Sequence, residues 1–107
     1  MSGGDARGPA GGGGSGDEPC RGLRQEKNLE SPVPGVAELL KVDDELDLDL
    51  RDGPPRTVVL VDRAGRDAGA IVATGRLIEC LQDGVRFVAS VTQIRGGAIW
   101  LEVRAAE

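Results

Sequence analysis

Histidine and tyrosine are absent from this chain, and lysine does not occur from Arg51 onward. Without histidine, the commonest general base and the commonest zinc ligand are both missing. Phe87 and Trp100 are the only aromatic residues. No apolar run approaches the ~18 residues a membrane-crossing helix needs, so no transmembrane span is expected. The N-terminus lacks the basic start and apolar core of a secretory signal. Cys20 and Cys80 are the only cysteines. One falls in a Gly-rich stretch and the other inside a helical pattern. Both are therefore expected as free thiols in a reducing cytosol, and the chain as cytoplasmic.

What is present divides unevenly. Residues 1–35 are read as a disordered Gly/Pro-rich tail and linker, including the run Gly11-Gly12-Gly13-Gly14-Ser15-Gly16 and ending at Pro32, Pro34 and Gly35. Such a stretch has too little apolar surface to offset roughly 1–2 kcal/mol of backbone entropy per residue. Residues 36–107 remain as one domain, enough for a compact β-rich fold. Charge divides as well. Residues 1–37 are near balance, residues 38–52 hold seven acids against two bases, and residues 53–107 hold six acids against seven arginines. That pattern is unlike a strongly basic nucleic-acid binder.

Within the domain, "ELDLDLR" alternates with period 2, so Leu46, Leu48 and Leu50 share the buried face of a strand. "DGPPR" cannot continue a ladder and is a loop. "TVVLVD" (57–62) is a continuous β-branched run, expected to be buried on both faces. "AIVA" (70–73) pairs back as a short strand. Thr74 is an N-cap for a short helix with Leu77, Ile78 and Leu81 on its apolar stripe, and Gly84 stops it. "VRFVASVTQI" and "AIWLEVR" close the domain as two strands. Phe87, Ala89 and Val91 are expected on one face of the first, with Val88 and Ile94 on the other. On the second, Ala98, Trp100, Glu102 and Arg104 are expected to share the outer face. The expected fold is mainly β: a small, partly open five-stranded barrel with one short inserted helix, preceded by the disordered tail.

This order of signals resembles a HIRAN domain. The resemblance runs over roughly residues 36–104 through "LKVDDELDLDL", "RDGPPR", "TVVLVD", "RAGRDA", "GAIV", "ATGRLIECLQDG", "VRFVASVTQI" and "AIWLEV". Gly69 and Ile71 match the family's "G-Y-[VI]-P" phrase, while Ala70 and Val72 depart from it. Asp52, Pro54 and Pro55 keep the loop's character, without the family's Asn. The resemblance implies the barrel and a non-enzymatic module that binds single-stranded DNA or its ends.

Four groups of residues bear on chemistry. Asp43, Glu45, Asp47 and Asp49 form an acidic stripe, which reads as a solvated strand face that discourages edge pairing, with no metal bound. Arg51, Arg56 and Arg76 flank the loop and the helix start, and are expected to converge into a phosphate-contacting patch. Trp100, on an otherwise polar face, is the stacking or interface aromatic of the same site. Cys80, Ser90 and Thr92 have no base beside them, and "GRDAGA" is no phosphate loop, so no catalytic residue and no cofactor are expected. The expected function is DNA binding, single-strand or strand-end, through Arg51, Arg56, Arg76 and Trp100. The alternative is a protein–protein adaptor or small structural subunit that uses the Trp100 face or a sheet edge.

Overall fold

Alternation becomes strand here wherever one side can be covered. In the computed structural model, which describes residues 17–106, six antiparallel strands form one curled, half-barrel sheet with a short helix. In chain order the elements are α1 (Asp17–Arg21), β1 (Arg24–Asn28), a 3-10 turn (Ala37–Leu39), β2 (Glu45–Arg51), β3 (Thr57–Val61), β4 (Asp67–Ile71), α2 (Gly75–Gln82), β5 (Phe87–Arg95) and β6 (Ala98–Ala105). The order across the sheet is β1-β6-β5-β2-β3-β4.

The strand count is six where the sequence led us to expect five, and the extra strand is β1. Its residues, RQEKN, carry no apolar alternation of their own. The inward positions are Leu23, Gln25, Lys27 and Leu29, so leucines bracket two long polar side chains whose stems can cover apolar neighbours. β1 exists because β6 offers it a full ladder, from Arg24↔Arg104 to Asn28↔Trp100. Residues 17–35, read above as the second half of a tail, therefore belong to the fold. The part of that tail up to residue 16 lies outside the described residues.

Beyond β1 the chain crosses to the far edge of the sheet. Glu30 N–H donates to the Ala70 carbonyl at 2.7 Å, and Ala70 N–H returns the bond to Glu30 O at 2.8 Å. Val33 N–H then donates to Ala68 O at 2.9 Å. These bonds tie the two edges of the curled sheet and fix β4 at Asp67–Ile71, three residues earlier than the "AIVA" reading.

The core is the inner face of the curl. Leu46, Val58, Leu60, Phe87, Val91, Leu101 and Val103 are fully buried there, and Leu77 of α2 closes one end. Phe87, Ala89 and Val91 share the inner face as expected. β3 is not buried on both faces: Val58 and Leu60 are buried, but Thr57, Val59 and Val61 are half-buried on the outer side. Ile94 does not lie on the outer face with Val88. The ladder between β5 and β6 shifts between Val91 and Gln93, which changes the phase and sets Ile94 opposite the buried Ile99.

α2 forms as the sequence indicates. Thr74 Oγ1 accepts from Leu77 N–H at 3.2 Å, and Gly84 takes the left-handed conformation after the helix (φ +91°). Its deepest residues are Leu77 and Cys80, with Ile78 and Leu81 half-buried beside them. Cys80 is bonded to Cys20 in a disulfide. The expectation of two free thiols is thus overturned: Cys20 sits in α1, packed against α2 and buried in the core. With it goes the ground on which a reducing cytosol was inferred. No helix is long and apolar enough to cross a membrane, among the described residues.

Candidate nucleic-acid interface

The outer face of the sheet is laid with crosswise ion pairs. Three carboxylates alternate along β2: two meet arginines from other segments, and Asp49 meets Arg51 at the end of the same strand. Glu45 accepts from Arg104 at 2.8 Å, Asp47 from Arg86 at 3.5 Å and Asp49 from Arg51 at 3.0 Å. The acidic stripe is thus matched by arginines rather than simply solvated. Asp43 stands off it, in a left-handed conformation (φ +79°) ahead of the strand.

The four residues expected to converge do not form one site. Arg51 ends β2 and is fully engaged: its guanidinium makes two parallel bonds to Asp67, at 2.8 and 2.9 Å, besides the one to Asp49. Those hydrogen bonds raise the Arg51 pKa further and hold the Asp67 carboxyl below its ordinary range. Arg56 lies 3.7 Å from Asp52, across the hairpin loop from Arg51. Arg76 is exposed in the first turn of α2 and makes no ion pair with any described residue. Trp100 lies at the other end of the sheet, half-buried on the outer face, with Asn28 and Gln93 as its cross-strand partners. Arg51, by contrast, pairs with Thr57 at the opposite rim. The sequence could not show this split, because strand polarity and order decide which ends meet.

Four other arginines do converge. Arg21 at the end of α1, Arg24 in β1, Arg86 just before β5 and Arg104 in β6 line one cleft of about 360 Å³, with Glu45, Val88, Ala105 and Ala106 completing its walls. The register explains the convergence. Arg24 and Arg104 are direct cross-strand partners on the same face, and Val88 stands on the other side of Arg104. Ala106 N–H donates to Arg86 O at 2.9 Å, which holds Arg86 at the same rim. Like charges directly opposite one another are unfavourable. Here each is offset by a carboxylate: Arg24 by Glu102 at 3.6 Å, and Arg104 by Glu45. Arg104 also donates to Ser90 Oγ at 2.6 Å, which fixes its fork.

All these pairs are at least partly exposed, so each contributes little stability and can be exchanged for an external anion at low cost. The cleft offers guanidinium forks beside the Glu45 carboxylate, and suits a phosphate or carboxylate. Sequence reasoning passed over Arg21 and Arg24 because they lay in the supposed tail. It noted Arg104 only as a neighbour of Trp100. The local hint was thin: Leu23 and Leu29, an even number of positions apart on either side of a wholly polar RQEKN.

Comparison with known proteins gives no match: no family model fits the chain, and no curated protein or solved structure matches it.

Proposed function

We propose that this chain is a non-enzymatic binding module that receives a phosphate-bearing end of single-stranded DNA in the arginine cleft. The observation that carries this reading is the convergence of Arg21, Arg24, Arg86 and Arg104 on one cleft. Arginine is the side chain best shaped for bidentate phosphate contact, and a backbone phosphate would replace the exposed carboxylates that now face Arg24 and Arg104. The HIRAN-like order of elements lends DNA as the source of that phosphate. Trp100 lies on the same strand face as Arg104, about 13 Å along β6 at ~3.3 Å per residue. A strand leaving the cleft along β6 would meet it as a stacking platform.

The test is a titration of Trp100 fluorescence with short single-stranded DNA at several salt concentrations. The logarithm of affinity should fall linearly with the logarithm of salt, by about 0.7 for each phosphate neutralised. Arg24→Gln with Arg86→Gln should flatten that slope, and Arg51→Gln should leave it unchanged. Absence of binding at low salt, or a slope indifferent to the double substitution, would sink the reading.

The second reading, a protein-interaction adaptor, draws on the other end of the sheet. There Ile94 is 39% exposed next to Gln93, the cross-strand partner of Trp100. It expects partner binding that varies little with salt and is unaffected by DNA.

A further inference from the structure

The arginine cleft is built from two parts of the chain with unequal hold on the fold. Arg86 and Arg104 belong to the curled sheet and its rim. Arg21 and Arg24 belong to the N-terminal segment, α1 and β1. That segment is held non-covalently by one ladder, to β6, by the core contacts of Leu23 and Leu29, and by the bonds just beyond it at Glu30 and Val33. A five-residue helix is far below the length that stands alone in water. β1 buries polar stems between Leu23 and Leu29, pairs with β6 at one edge, and sends its own Gln25 Nε2 to donate to Thr74 Oγ1 at 2.9 Å. The covalent hold is the Cys20–Cys80 disulfide, which spans 60 residues of sequence. It fastens α1 to α2 immediately beside Arg21 and four residues before Arg24.

We infer that the Cys20–Cys80 disulfide is a redox latch that assembles the arginine cleft: oxidised, it holds Arg21 and Arg24 against Arg86 and Arg104, and reduced, it releases that half of the cleft. The use of the cleft for DNA rests on the function proposed above, while the latch itself does not. The reductant is a dithiol. One of its thiolates attacks a sulfur of the bridge to give a mixed disulfide and one free cysteine. The second thiolate then closes on the first, leaving the dithiol as a cyclic disulfide and both cysteines as thiols, with two electrons and two protons transferred. Cys20 is 5% exposed and Cys80 2% exposed, so the exchange requires α1 to lift, a local opening of this five-residue helix.

The experiment uses the full chain, oxidised, then reduced with excess dithiol, alongside a Cys20→Ala/Cys80→Ala variant that keeps the site apolar. Amide hydrogen exchange and DNA affinity are measured on all three. The latch expects Arg24–Asn28 to lose protection on reduction while the amides of β2, β3 and β5 keep theirs. It also expects the alanine variant to behave as the reduced chain. Affinity for short single-stranded DNA should then fall about tenfold if the cleft is assembled a tenth of the time. Unchanged protection in β1 overturns the inference. So does loss of protection throughout, which would make the bridge a staple for the whole fold. An oxidised chain that binds no DNA, yet releases β1 selectively on reduction, keeps the latch and removes the DNA reading instead.

Discussion

Gly69 lies directly against Leu29. A Cβ built on Gly69 would come to 2.7 Å from Leu29 Cδ1 and 2.9 Å from the Glu30 carbonyl oxygen. The crossing that ties the two edges of the sheet is therefore possible only where β4 has no side chain. Gly69→Ala must push the crossing strand away and disturb the paired bonds between Glu30 and Ala70. We expect a destabilisation of about 1–3 kcal/mol, read as a lower urea midpoint. Gly75→Ala is the control. Nothing lies within 4 Å of its added Cβ, and it opens α2. It should be neutral or stabilise by up to about 1 kcal/mol.

Asp67 sets an acid limit on the fold. Its carboxyl is held below the ordinary value of 3.8, chiefly by the hydrogen bonds from Arg51. Asp62 is lowered too, first by the Arg66 backbone N–H at 2.9 Å and then by the Arg66 side chain. A carboxylate with a depressed folded pKa contributes stability above its unfolded value, and that contribution is lost as pH falls through the folded one. Wild type should thus exceed Asp67→Asn in urea midpoint at neutral pH. The two curves should converge as pH drops below 3.8. A gap that persists undiminished in acid would show that the carboxylate's charge is not what matters.

Thr74 serves two elements at once. Its Oγ1 caps α2 through Leu77 N–H and accepts from Gln25 Nε2. Thr74→Ala should cost about 1 kcal/mol for the lost cap. Thr74→Ser keeps the oxygen and should recover most of it. Equal loss in both variants, measured by thermal unfolding, would point to the missing methyl instead.

Leu101 is fully buried at the centre of β6, between the strands that carry the arginine cleft. Leu101→Ala should destabilise by about 2–5 kcal/mol. A loss of less than a tenth of that, read from chemical denaturation, would mean the inner face is not a packed core.

Much of the curl was legible residue by residue. "ELDLDLR" became β2 at its expected ends, because alternation with one covered face is a local signal. Thr74 and Gly84 bounded α2 for the same reason: capping is decided within a few residues. β1 was not legible. Its polar inward side chains are acceptable only because β6 and the crossing at Glu30 surround them, and those lie far away in sequence. The candidate cleft failed to show for a related cause. Arg24 and Arg104 face each other through a register that no local pattern encodes. The expected grouping of Arg51 with Trp100 depended on a closing barrel, whereas strand direction sends them to opposite rims of a half-barrel. The disulfide was missed because Cys20 was assigned to a tail.

The pairing of β1 with β6 also has a history in time. Arg24 meets Arg104, so the first of the described strands to be synthesised waits for the last of them. At about 5–20 residues per second, β1 spends roughly 4–16 s without its partner on every round of translation. Cys20 likewise has no Cys80 to bond until most of that interval has passed. During it, the segment RQEKN offers an emerging sheet no apolar side chain with which to pair wrongly. Its charged composition, which hid it as a strand, keeps it soluble while it waits.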